Sequence, residues 1–130
     1  MRIIHLADSH LGFSSYARLD AHGQNRIEEM VYSGFGQAID AIIQARPDAV
    51  VHAGDVFHHV RPKIKPLVVF KRGLEMLIDA GIPVIIISGN HDAPKSYSLT
   101  SPFRLFENLP EVYIAQRYKY ERFSIGDHSF

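Results

Sequence analysis

Three short apolar runs, residues 2–6, 49–52 and 83–88, each break off into polar or glycine residues, and the stretches between them carry apolar residues at helical spacing. Runs that are apolar throughout read as strands buried on both faces. Strand, helix, strand, helix, strand is the pattern of a parallel sheet with right-handed crossovers. The first helix is predicted over 26–45, with Ile27, Met30, Val31, Ala38, Ile39, Ile42 and Ile43 as its apolar stripe and Glu28 and Glu29 in its first turn. Gly34 and Gly36 each weaken it by about 1 kcal/mol relative to alanine. The second helix carries Ile64, Leu67, Val68, Lys71, Leu74, Leu77 and Ile78, tolerates Pro66 in its first turn, and stops at Gly81 and Pro83. Further on, Ser101-Pro102 opens a short helix through Phe103, Leu105, Phe106 and Leu109, and 112–114 reads as a fourth strand. Residues 118–125 alternate as a strand leading into a Gly126-Asp127 turn, whose partner strand would begin at His128. A domain ending in half a hairpin is expected to be the first part of a longer one.

With 130 residues and 46% hydrophobic content, the chain is long and apolar enough for one globular domain with a real core. It has no cysteine, so a disulfide framework and thiolate metal sites are excluded and any metal must take nitrogen and oxygen ligands. The N-terminus runs straight into a strand, which predicts no membrane association and a cytoplasmic location, or a nuclear one in a eukaryote. Fourteen basic and fourteen acidic residues cancel, so contacts with a polyanion must be local. Eight histidines are many for this length, and His10, His52, His58, His59 and His91 lie in or beside the strings that follow the strands.

Those strings are Asp8-Ser9-His10, Gly54-Asp55 and Gly89-Asn90-His91-Asp92. Two residues apart in extended chain, Asp8 and His10 would point to one face and hold one cation between them. Asp55 is placed to bridge two cations, with Gly54 letting the backbone turn and approach them. Asn90 offers a neutral amide oxygen to the second. Two divalent cations about 3.5–4 Å apart orient a phosphodiester and lower the pKa of a bound water. His91 is then positioned to protonate the departing oxygen, with Asp92 orienting it. Each piece has an ordinary reading: Asp-x-His and Gly-Asp recur by chance, and Asn-His-Asp also makes turns and helix caps. Their joint occurrence at three consecutive strand ends favours the site. His5 and His52 are expected in the core or orienting the ligands from behind, and His22 and His128 on the surface. Arg61, Lys63 and Lys65, and later Arg117, Lys119 and Arg122, form local basic stretches that read as a solvated face or as phosphate contacts.

The strings Leu6-Ala7-Asp8-Ser9-His10-Leu11-Gly12, His52-Ala53-Gly54-Asp55-Val56-Phe57-His58, Arg61-Pro62 and Ser88-Gly89-Asn90-His91-Asp92 resemble the calcineurin-like metallophosphoesterases. Within them the chain is similar to the double-strand-break repair nucleases of the SbcD and Mre-eleven type. The resemblance implies an α/β, layered fold with a largely parallel sheet flanked by helices. A histidine three residues after Asp55 fits these nucleases and makes His58 a phosphate-orienting catalytic residue, while the Asp-Arg-Gly of phosphoprotein phosphatases is missing. Also implied are manganese-dependent exonuclease and endonuclease action on DNA, two divalent cations, a homodimer, and an SMC-like ATPase partner of the Rad-fifty or SbcC type. Dimer contacts would come from 64–80 and 101–109, with Leu105 and Phe106 as candidates. The later histidines and capping domain of such nucleases do not follow Ile125, and Asp127-His128-Ser129 is not their His-x-His pair. The chain alone is therefore expected to be inactive or nearly so. Two other readings remain: a metallophosphoesterase acting on small phosphate esters, and a non-catalytic dimerisation or partner-binding module.

Overall fold

The computed structural model describes residues 1–15, 19–91, 100–115 and 120–130. Four parallel strands, β1 (Ile3–Leu6), β2 (Ala49–Ala53), β3 (Val84–Ile87) and β4 (Val112–Ala115), form one sheet in sequential order. Parallel neighbours cannot be joined by a tight turn, so the chain returns through α1 (Arg26–Ala45) and α2 (Ile64–Asp79). Leu6 lies opposite His52 and His52 opposite Ile86, so the first three strands finish close together along one edge. That alignment brings the three polar strings side by side. Among the described residues no helix is long and apolar enough to cross a membrane.

The helices pack on the sheet face that carries Ile4, Leu6, Val50, His52, Val84 and Ile86. On the opposite face Ile3 is 45% and Ile87 44% exposed, and His5 is exposed with them. Ala49 and Ile85 on that face are nevertheless buried, so among the described residues cover there is partial rather than complete, and His5 is neither core nor an orienting group. β-branched residues suit a pleated strand whether or not both faces are covered, so an apolar run overstates burial.

Ile39, Ile42, Leu74 and Leu77 are buried as expected, but the buried face of each helix is shifted from the expected stripe. α1 buries Tyr32, Phe35, Ile39 and Ile42 and leaves Met30 outside; α2 buries Pro66, Phe70, Leu74 and Leu77 and leaves Ile64 and Val68 exposed. The aromatic rings decide this, because they remove the most apolar area from water. The Phe70 ring lies 5.2 Å from Phe106, 5.4 Å from Phe57 and 6.1 Å from Phe35. Phe106 is thus a core residue, 1% exposed, and has no surface for a dimer contact, whereas its neighbour Leu105 is exposed. The predicted helix through Leu109 is only a 3-10 turn, Pro102–Leu105, with the Ser101 hydroxyl accepting from the Phe103 amide at 3.3 Å.

α1 is fixed at both ends. Asn25 Oδ1 accepts from the amides of Ile27 and Glu28 at 3.1 and 3.2 Å, satisfying donors that have no partner within the helix. Asn25→Ala is expected to cost about 1 kcal/mol, read as a lower urea midpoint at unchanged slope. An unchanged midpoint would show that the cap contributes nothing. At the far end Arg46 turns left-handed, φ 48°, and the Arg2 guanidinium donates to the carbonyls of Ala45 and Arg46, tying β1 to the helix end. The final residues form a complete small hairpin, β5 (Ser124–Ile125) with β6 (His128–Ser129). The earlier part of the predicted strand, from Tyr118, reaches into 116–119, outside the described residues, as do Arg117 and Lys119.

Candidate metal centre

The segments after β1 and β2 continue side by side beyond the sheet. Asp8 donates its amide to the Gly54 carbonyl at 3.1 Å, His10 to Asp55 at 3.0 Å, Leu11 to Val56 at 2.8 Å, and His58 returns one to Leu11 at 3.0 Å. Beneath them Leu11, Val56 and Phe57 are fully buried, so the polar string stands on a packed apolar base. The backbone here is not extended. Asp8, His10 and Asp55 have φ of 57°, 42° and 51°, three of the five non-glycine residues with positive φ among those described. This corrects the expectation that Asp8 and His10 converge through strand alternation: two left-handed turns bring them together. Left-handed backbone costs free energy at a residue with a Cβ, and such strain concentrates at functional sites.

Two glycines make the loop from β2 and the loop from β3 touch. A Cβ on Gly54, whose φ is +94°, would lie 2.9 Å from Gly89 Cα. One on Gly89 would lie 2.2 Å from Asp55 Oδ1 and 2.3 Å from Asp55 N. Gly54 therefore serves the approach of the β3 loop, and Gly89, to which no role was assigned from sequence, serves the Asp55 carboxylate. Nothing in the residue string distinguishes Gly89 from an ordinary turn glycine; its signal is a distance between non-neighbours.

Asp55 is 9% exposed, and its Oδ1 accepts from the His91 amide at 2.9 Å. Its Oδ2 stands 3.9 Å from His10 Nε2, and Asp8 Oδ1 stands 3.8 Å from the same nitrogen. These spans are too long for hydrogen bonds. They suit donors sharing one cation at about 2.0–2.2 Å from each. On its other edge His10 meets His58, Nδ1 to Nδ1 at 3.4 Å, and His91 Nδ1 lies 3.1 Å from the His58 carbonyl. The donor atoms of Asp8, His10 and Asp55 form one group within 4.8 Å of each other, and those of His10, His58 and His91 form another. The residue types and spacings fit a divalent cation with oxygen and nitrogen ligands.

The remaining expected site residues divide. Asn90 is exposed in the turn that carries His91, and Asp92 lies outside the described residues. His52 is buried, and its Nε2 lies 2.8 Å from the hydroxyl of Ser9, the residue between the two ligand candidates. Burial lowers its pKa to about 4, and its Nδ1 has no partner among the described residues. Burial first, then His59, His10 and His91, hold His58 below the ordinary histidine range. Arg61 and Lys63 are exposed beside the site. Lys65 is not a free cation: it pairs with Glu29 and lies over the Tyr32 ring at 5.3 Å, fastening α2 to α1. His59, edge-on to His58 with ring centroids 4.6 Å apart, joins the cluster without a role predicted for it.

The family model of the calcineurin-like phosphoesterases matches residues 1–127. The chain belongs to this family. Among curated proteins, the chain is 38% identical over 109 residues to the DNA double-strand break repair protein Mre11 of Methanococcus maripaludis, covering 84% of this chain and 28% of that protein. It is 39% identical over 108 residues to the protein of the same name from Sulfurisphaera tokodaii, covering 83% and 26%, and 33% identical over 112 residues to that of Methanocaldococcus jannaschii, covering 86% and 29%. The chain thus spans under a third of the length of these relatives.

Proposed function

We propose that this phosphoesterase chain carries the metal-binding part of a DNA double-strand-break repair nuclease. It holds two divalent cations, manganese by preference, through Asp8, His10, Asp55 and Asn90, and acts on DNA phosphodiesters. The observation that carries the reading is His10, whose imidazole stands between the Asp8 and Asp55 carboxylates and the His58 and His91 rings at one edge of a parallel sheet. The names of its relatives support DNA as substrate. Assembly as a homodimer through the surface around Leu105, and with an SMC-like ATPase of the Rad-fifty or SbcC type, belongs to the same reading.

When bound, the cations supply Lewis-acid polarisation of the phosphoryl group and an acidified water. The protein does the rest. Asp55 is divided between two tasks, one oxygen tied to the His91 amide and the other turned toward His10, so its orientation is set by the loop from β3. His91 Nδ1 faces a carbonyl, which accepts only, so that nitrogen carries hydrogen in either charge state. Nε2 is then the atom that takes up and delivers a proton, as a general acid toward a leaving oxygen must. The ring of His58 lies nearly parallel to His91, centroids 5.4 Å apart, so both can face one phosphate. Arg61 and Lys63 are the exposed cations available to flanking phosphates.

Titration of Mn2+ into the chain, followed by electron paramagnetic resonance of the free ion, tests the site. Binding is expected and should weaken at least tenfold in Asp55→Ala, with circular dichroism confirming that both are folded. Any cleavage of linear duplex DNA in Mn2+ should fall by about 10²–10⁴ in His91→Ala. A folded chain that binds no divalent cation, or cleavage indifferent to His91, overturns the reading. Hydrolysis confined to small phosphate esters would overturn DNA as substrate.

A further inference from the structure

One side chain, His10, belongs to both donor groups, and its two ring nitrogens face different neighbours. Nε2 faces the Asp8 and Asp55 carboxylates, and Nδ1 faces His58 Nδ1 at 3.4 Å. A neutral imidazole has one N–H and one lone pair. With the lone pair at Nε2 turned to the cation side, the hydrogen resides on Nδ1 and points at His58. His58 Nδ1 must then be the acceptor, which leaves the hydrogen of His58 on its Nε2. The main chain of the same residue performs the parallel task for His91, its carbonyl lying 3.1 Å from His91 Nδ1. The His58 amide, donating to the Leu11 carbonyl at 3.0 Å, holds this backbone against the loop that carries His10.

We propose that His58 is a positioning residue that sets the tautomers of both His10 and His91, through its Nδ1 for the first and its carbonyl for the second, so that cation affinity depends on the His58 side chain. The inference rests on the cation-site reading given above. It adds to the catalytic part proposed for His58 at the phosphate a separate duty toward the ligand His10. Ligating histidines are usually oriented by a partner on the other ring nitrogen, and loss of such a partner weakens metal binding by about 10–100-fold.

Two substitutions separate this duty from bulk. Asparagine places its amide oxygen where the His58 Nδ1 acceptor stands; leucine fills similar space with no acceptor. Mn2+ titration of the 130-residue chain is expected to show His58→Leu weakened about 10–100-fold and His58→Asn close to the original protein. In the 15N-histidine-labelled chain with Mg2+, His10 should carry its hydrogen on Nδ1, and in His58→Leu the two tautomers should mix. Unchanged affinity in His58→Leu, or His58→Asn as weak as His58→Leu in a folded protein, overturns the proposal. The latter would instead place the cation among the three imidazoles of His10, His58 and His91. If the unsubstituted, folded chain binds no Mn2+, the cation-site reading itself fails and this inference with it.

Discussion

Gly89→Ala is expected to lose divalent-cation binding by at least tenfold and to lower stability, although glycine-to-alanine changes usually leave a fold intact. The added Cβ would stand 2.2 Å from Asp55 Oδ1 and 2.3 Å from the Asp55 backbone nitrogen. A flexible side-chain end could swing away, but a backbone nitrogen between β2 and α2 cannot, so the β2 and β3 loops must part. Overpacking of this kind costs about 1–3 kcal/mol. The larger consequence is local: the same displacement breaks the bond from the His91 amide to Asp55 and moves the carboxylate away from His10. Gly34→Ala is the control. It lies on the exposed side of α1 with nothing within 4 Å of a built Cβ, and alanine there should raise stability by up to about 1 kcal/mol. Thermal melts and Mn2+ titration of the two variants give the comparison, and Mn2+ binding by Gly89→Ala equal to that of the original chain would show that the loops tolerate separation.

Acid should destabilise the protein through His52. Burial lowers its folded-state pKa to about 4, against about 6.5 in the unfolded chain. Between these values the unfolded state binds the proton and the folded state does not, so falling pH favours unfolding. The contribution of neutral His52 is complete above about pH 6.5 and is lost progressively down to pH 4, in total about 3 kcal/mol. The physical cause is its position in the apolar space between sheet and helices, beside Leu6, Val50, Phe70 and Leu74, with Nδ1 lacking a partner among the described residues. His52→Leu removes this titration while keeping an apolar side chain against Phe70. Melting temperatures measured from pH 7.5 to 4.5 should therefore fall less steeply in His52→Leu than in the original protein. Equal slopes would mean that His52 contributes nothing to acid sensitivity. The substitution also removes the bond to Ser9, so a weaker cation site at neutral pH is expected alongside the flatter profile.

The strands, the two long helices and their order could be read directly because each depends on local pattern: apolar runs of strand length, apolar residues at helical spacing, and Gly or Pro where the chain stops. Rotation of a helix about its own axis is a weaker signal. Met30 and Ile64 fit a helical stripe as well as Phe35 and Phe70 do, and only the mutual packing of Phe35, Phe57, Phe70 and Phe106 selects the face that turns inward. The same packing withdraws Phe106 from the surface and leaves Leu105 there. Lys65 likewise reads as a free cation until Glu29 and Tyr32, on another helix, are found against it.

For the site, residue type carries the chemistry, so Asp8, His10, Asp55 and His91 could be named as a cluster from their places after successive strands, and His58 from the family resemblance. How they meet could not. The left-handed turns at Asp8, His10 and Asp55 are held by hydrogen bonds between two loops more than forty residues apart in sequence, and the approach of Gly89 to Asp55 comes from a third. Which nitrogen of His10 faces carboxylates and which faces His58 follows from those long-range contacts. Donor identity is a property of single residues, whereas donor direction is a property of loops that meet only in the folded chain.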